Sequence, residues 1–174
     1  MALKAKMSEI FADYSLTNKN GVLQNVRIFS QYMPLPNGIS LANKASGIKN
    51  YDETDYEANF PCVIIHYDDC VDDEERRLEL STHKVKLIFG AYDEDKECQA
   101  YIDIMQMMDI VKLELLTRRI LAGKFRLNMP VKSQLLELDT WPIYFGQLDL
   151  IYESGRATMP ADFVYGNGRF CKGN

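Results

Sequence analysis

Asp68, Asp69, Asp72, Asp73, Glu74 and Glu75 crowd into one short stretch, and they form the densest set of chemistry-bearing side chains in this sequence. A hard cation such as calcium takes several carboxylate oxygens at once, so a metal-binding loop is the first chemistry such a cluster suggests. The spacing lacks the ordered one-three-five ligands and the turn glycine of an EF-hand loop. A solvated hairpin tip or an acidic contact surface is the preferred reading. The two histidines, His66 and His83, both stand in stretches that read as strand. Isolated strand histidines are far more often packing or surface residues than ligands or bases.

Paired carboxylates for glycoside hydrolysis depend on a separation in space, and with 25 acidic residues in the chain their mere presence carries no weight. No GxSxG, GxxxxGK[ST], HExxH or Cys-His signature occurs, which leaves nucleophile elbow, P-loop and zincin readings without support. No catalytic, cofactor-binding or metal-ligating residue is therefore assigned, no cofactor is expected, and the chain is expected not to be an enzyme. The distant alternative is a small acidic hydrolase or ligand-binding domain, which would need a concave pocket with converging carboxylates or His66. Met105, Met107 and Met108 suit core filling better than an adaptable binding face. The Trp141-Pro142 pair reads as a rigid turn with a half-buried indole, or as an anchor for a partner. Phe163, Tyr165 and Phe170 are spaced along a glycine-rich C-terminal stretch that cannot build its own core, and are candidate contacts with the domain or a neighbouring copy.

Bulk composition frames these choices. A chain of 174 residues, 47% hydrophobic and 26% charged, fits one globular domain with a real core. A net charge of -5 offers no general attraction for a phosphate backbone, so specific nucleic-acid binding is not expected. Cys62, Cys70, Cys98 and Cys171 are irregularly spaced and fit no CxxC or zinc-ribbon pattern, which suits reduced, unliganded thiols in a cytoplasmic setting. Neither a signal peptide nor a bilayer-spanning apolar run is visible, and no membrane association is expected.

The elements that must position these residues follow from hydrophobic periodicity. A short helix capped by Ser8 is expected near the start, then a strand over QNVRIFSQYMP with Val26, Ile28 and Ser30 alternating against Arg27, Phe29 and Gln31. Residues 35–59 show no period, carry turn residues throughout and read as a long loop or arm. The apolar run Cys62 to Ile65 reads as an interior strand, the acidic stretch as an interruption, and Leu78 to Tyr92 as its hairpin partner. Residues 94–121 read as one long amphipathic helix. Its expected stripe is Tyr101, Ile104, Met105, Met108, Val111, Leu115 and Leu116, widened by Ile102, Ile110 and Leu113. Asp93, Glu94 and Asp95 before it and Arg118 and Arg119 in its last turn suit the helix dipole, with Gly123 as its stop. Phe125 and Leu127 begin a short strand expected to end at Pro130, and Ile143 to Tyr152 alternates cleanly as a last strand. The expected fold is α+β: a mainly antiparallel sheet crossed by one long helix, in a single domain over 1–153 with an extended tail over 154–174.

The succession FPCVIIHY, an acidic linker, VKLIFGAYDED, the helix with its exit ILAGKFRLNMP, and WPIYFGQLDLIYE resembles a family of small proteins of tailed bacteriophages and prophages. Its members are described as tail terminator, tail completion or neck proteins. The likeness runs from Phe60 to Glu153, rests on short phrases without a catalytic box, and extends to QNVRIFSQYMPLP; residues 37–59 and the stretch after Ser154 have no counterpart. It implies a virion structural protein made in the bacterial host cytoplasm. Copies would form a ring, commonly a hexamer, that caps the tail tube and meets the neck or head-tail connector proteins. A head-tail connector or a tail-tube subunit is the nearest alternative. The acidic cluster would then face the channel of the ring, or contact a neighbour.

Overall fold

The structure, a computed structural model, describes residues 2–18, 20–33, 57–72, 80–94, 99–136 and 141–155. Helix α1 (Ala2–Ile10) leads through two short paired strands, β1 (Ser15–Thr17) and β2 (Leu23–Asn25), into β3 (Arg27–Ser30). The long strands β4 (Cys62–Asp72) and β5 (Leu80–Tyr92) precede helix α2 (Gln99–Thr117). Strands β6 (Ile120–Leu121), β7 (Phe125–Leu136) and β8 (Ile143–Gly155) follow it. The main sheet has the order β3-β4-β5-β8-β7-β6 and is antiparallel except for the parallel β3–β4 pair. This is the expected α+β fold, a mixed and mostly antiparallel sheet with one long helix across it.

Alternation along the two central strands gives the sheet two different faces. Val85, Leu87, Phe89 and Ala91 of β5 are buried on one face together with Leu148, Leu150 and Tyr152 of β8, and Leu87 lies opposite Leu148. Helix α2 covers this face with Ala100, Ile104, Met107, Met108, Val111 and Leu115, a helical stripe. Each fully buried aliphatic side chain in such a layer contributes about 1.5–3 kcal/mol relative to exposure. Gly146 lets the helix approach closely: a Cβ there would overlap Ile104 Cγ2 and come within 3.2 Å of Met108 Sδ. Helix α1 extends the layer through Met7 and Phe11, and Lys6 reaches Glu114 of α2 at 3.9 Å.

No helix among the described residues covers the other face. Phe60, fully buried, lies over Gly90, where a Cβ would sit 2.6 Å from its ring, and meets Phe145 edge-on at 6.0 Å. Cys62 is buried beside it, and burial pushes its thiol up to about 12.

Several boundaries differ from expectation for identifiable reasons. Helix α1 begins at Ala2, so Ser8 is inside it and is no N-cap. Helix α2 ends at Thr117, whose hydroxyl donates back to the Leu113 carbonyl at 2.8 Å; Arg118 and Arg119 follow the helix. Ile120 and Leu121 turn away to pair with β7, and Gly123 serves the β6–β7 turn, where it and Ala122 adopt positive φ, instead of stopping the helix. At the other end the helix begins at Gln99 and has no acidic residue in its first turn, although the carboxylate of Asp93, further upstream, accepts the Ala100 N–H at 3.1 Å. Ile102, Met105 and Leu113, placed on the expected stripe, are exposed, while Met107 is buried in their stead. Pro130 does not end β7; the strand continues to Leu136 past a register shift between Asn128 and Lys132, where a residue without an N–H is tolerated. Most of the 35–59 loop lies outside the described residues. Its last residues are held, with Asn59 buried and accepting from Arg27 at 3.1 Å.

Candidate interaction surface

The β4–β5 hairpin changes character along its length. Cys62 and Val63 are fully buried, whereas Tyr67, Asp68, Cys70, Val71 and Asp72 are exposed. Strand β4 runs to Asp72, so the acidic stretch does not interrupt it at Asp68 as expected, and the first carboxylates of the cluster belong to the ladder. Asp73, Glu74 and Glu75 lie outside the described residues.

A register shift between Tyr67 and Asp69 leaves Asp68 as the extra residue of a bulge. In a regular strand consecutive side chains point to opposite faces. Here both aspartates reach the uncovered face, where Asp68 pairs with Lys86 and Asp69 with Lys84, each at 2.9 Å. A bulge is the device that allows two adjacent residues to meet two alternate ones. The hydrogen bond and charge of Lys86 hold the Asp68 carboxyl below its ordinary value, and Asp68 in turn raises Lys86. Beyond the bulge, Asp72 accepts the Ser81 hydroxyl at 2.5 Å. The described part of the cluster is therefore a cross-strand ladder that fixes register, with two carboxylates matched by lysines. Sequence inspection missed this, although Lys84 and Lys86 opposite an Asp-Asp pair carried the signal.

On the helix-covered face, past the end of α2, a cavity of about 430 Å³ opens between the start of α1 and the sheet. Leu3, Ile65, Val85, Leu121 and Phe125 give it apolar walls, and His83 and Tyr152 also line it. His83 sits between the Tyr67 hydroxyl (3.3 Å from Nδ1) and Ser154 Oγ (2.8 Å from Nε2), with its ring edge-on to Phe125 at 5.5 Å. Tyr152 is only 4% exposed, its hydroxyl has no partner among the described residues, and burial pushes its pKa up to about 12. His66 points elsewhere in the fold, with its ring 6.2 Å from that of Tyr32. Neither the cavity nor the orphan hydroxyl had a visible signal in the sequence, because both arise from where α2 stops.

Trp141 is 64% exposed in the turn before β8, more open than the half-buried indole expected there. Phe163, Tyr165 and Phe170 lie outside the described residues. Cys62 and Cys70 are free thiols. Among the described residues no three His, Cys, Asp or Glu side chains converge as metal ligands, and no helix is long and apolar enough to cross a membrane. No protein-family model and no curated protein matches this chain.

Proposed function

We propose that this chain is a virion structural protein, a tail terminator or tail completion subunit. Copies would form a ring, six in the commonest arrangement of the family it resembles, capping the tail tube and joining it to the neck or head-tail connector. The observation that carries this reading is the far half of β4, which beyond Ile65 has no strand on its outer side among the described residues and presents exposed residues on a register held by paired charges. An open strand edge of this kind offers a contact to a neighbour, and repetition of a head-to-tail contact closes a ring when the rotation between copies permits. Exposed Trp141 is a second anchor, since indoles dominate contact energies where they are buried by a partner. Lys84 and Lys86 offset Asp68 and Asp69, so repulsion of DNA within a channel would rest on Asp72, Asp73, Glu74 and Glu75.

The test is to mix purified protein with tail tubes lacking their terminus and to view the particles by negative-stain microscopy, with native mass spectrometry of the protein alone. Single rings seated on tube tips are expected. Self-assembly into long tubes would assign a tube subunit instead, and absence of any binding at tube ends would remove the terminator reading.

A further inference from the structure

Two edges of the main sheet are open among the described residues. Strand β3 covers β4 only from Cys62 to Ile65, and the Gln31 side chain takes the Tyr67 N–H at 3.0 Å, so β4 has no strand beside it from Asp68 to Asp72. At the opposite side of the sheet β6 pairs with β7 only through Phe125 and Arg126, which leaves β7 open from Asn128 to Leu136. A bare edge is a template for another strand. One row of charges joins these two edges. Lys132 of β7 stands opposite Asp149 of β8, Asp149 stands opposite Lys86 of β5, and Lys86 pairs with Asp68 of β4 at 2.9 Å. The four residues border one hollow on the face away from α2. Their signs alternate across the sheet, so the row ends in an ammonium at one open edge and in a carboxylate at the other. Lys132, at its end of the row, makes no ion pair among the described residues.

We propose that β7 of one copy of this chain lies against the far half of β4 of the next, with Lys132 meeting Asp68 across the joint, so that the sheet and its row of alternating charge run on from copy to copy. Charges, a proline and a bulge on edge strands stop edges from pairing indiscriminately, and here Lys132, Pro130 and the bulge at Asp68 are such devices. The joints that the charges oppose are like with like: two β4 edges bring aspartates together, and two β7 edges bring lysines together. Only β7 against β4 matches opposite signs. The direction follows as well. Strand β7 runs opposite to β8 and β8 runs with β4, so a sheet continued with its charged row on one face sets β7 antiparallel to the next β4. Exposed Met129 on one edge and exposed Tyr67 and Val71 on the other supply apolar surface for the joint to bury. The contact is head-to-tail, and it deepens the ring reading, on which its closure rests, by naming the two surfaces that meet.

Charge reversal at either edge of the full chain tests the joint, read by native mass spectrometry and sedimentation over a range of concentrations. The parent is expected to associate beyond dimers. Lys132→Glu sets a carboxylate against Asp68 of the next copy and Asp68→Lys sets an ammonium against Lys132, so each variant alone should self-associate at least about tenfold more weakly. An equimolar mixture of the two restores opposite charges at every joint between unlike variants. Association should then return to the parent level, with the two variants in equal number in the oligomers, a recovery that misfolded chains could not show. Undiminished association of either variant overturns the joint, as do variants that circular dichroism shows folded but that stay apart on mixing. A parent that remains monomeric at every concentration overturns it too. Failure here is distinct from failure of the terminator reading: Lys132→Glu rings seated on tube tips as well as the parent's would keep that reading and remove this joint, whereas recovery on mixing without any binding at tube ends would keep the joint and remove the reading.

Discussion

The two faces of the main sheet are built from the same strands and end up with different tasks. On one face α2 covers a layer from Ala91 to Leu87 and from Gly146 to Leu150, and past its end the same face carries the cavity beside His83 and Tyr152. On the other, the aromatic pair Phe60 and Phe145, with Cys62 buried beside it, occupies one end and the Asp68–Lys86 and Asp69–Lys84 pairs the other. Each face has one glycine where something must approach the sheet closely, Gly146 beneath the helix and Gly90 beneath Phe60. The difference teaches that coverage by a helix marks one layer of core, while the other face, among the described residues, completes a smaller core with a segment that precedes β4 and carries its charge pairs at the far end. A surface of that kind can meet a partner without the subunit depending on it.

The largest expected effect tests whether the smaller core belongs to the fold. Phe60→Ala should destabilise the protein by about 3–5 kcal/mol in urea unfolding, the ordinary cost of emptying a buried aromatic site. Ile104→Ala, on the helix-covered side, should cost about 2–5 kcal/mol. A loss under about 1 kcal/mol for Phe60 alone would break the comparison, because the uncovered face would then hold no core at all.

Next come the glycines. Gly146→Ala and Gly90→Ala each force a methyl group into an occupied space and should cost about 1–3 kcal/mol. Gly146→Ala is expected at the upper end, since Ile104 is fixed on a buried helix. Phe60 enters from a connecting segment, and a shift of its ring relieves the contact in Gly90→Ala. Unfolding midpoints measured side by side rank the two, and the reverse order would mean that the helix yields more easily than the aromatic cluster.

The charged half of the uncovered face should show itself in the pH dependence. The folded-state pKa of Asp68 is depressed below 3.8, so its contribution is fully present above that value and is lost as pH falls through the lower folded value. Lys86 is raised above 10.5, so its contribution is present below that value and is lost as pH rises through the higher folded one. Between these limits the pair is intact. Both groups are solvent-exposed, so the effect is small and diminishes with salt. Lys86→Met should flatten the acid limb of the stability curve at low ionic strength; an unaltered limb would show that the bulge holds register without its charges.

What could be read from the sequence follows the same division. The covered face was legible, because Leu148, Leu150 and the residues of β5 alternate at period 2 and Ile104, Met108, Val111 and Leu115 recur at helical spacing. The ends of elements were not. Thr117, Pro130 and Asp72 each sit where pairing with a distant strand overrides local preference: β6 takes over from the helix, β7 continues through its proline, and β4 carries its acids into the ladder. The acidic cluster looked like a loop because aspartates are poor strand formers. Cross-strand lysines supply the compensation, and their register depends on a bulge that leaves no compositional mark.

The smallest effect on folding is expected at Trp141, and it separates what the subunit needs from what a partner would need. The side chain is 64% exposed, so Trp141→Ala should change the unfolding free energy by no more than about 0.5 kcal/mol. If the ring reading holds and the indole is buried between copies or against a tube, the same substitution removes an anchor of the kind that costs about 2 kcal/mol or more in association. Stability and tube-tip binding would then move apart in one variant, with folding intact and binding at least tenfold weaker. Loss of both together would place Trp141 in the core, and loss of neither would leave the distal hairpin as the contact to test next.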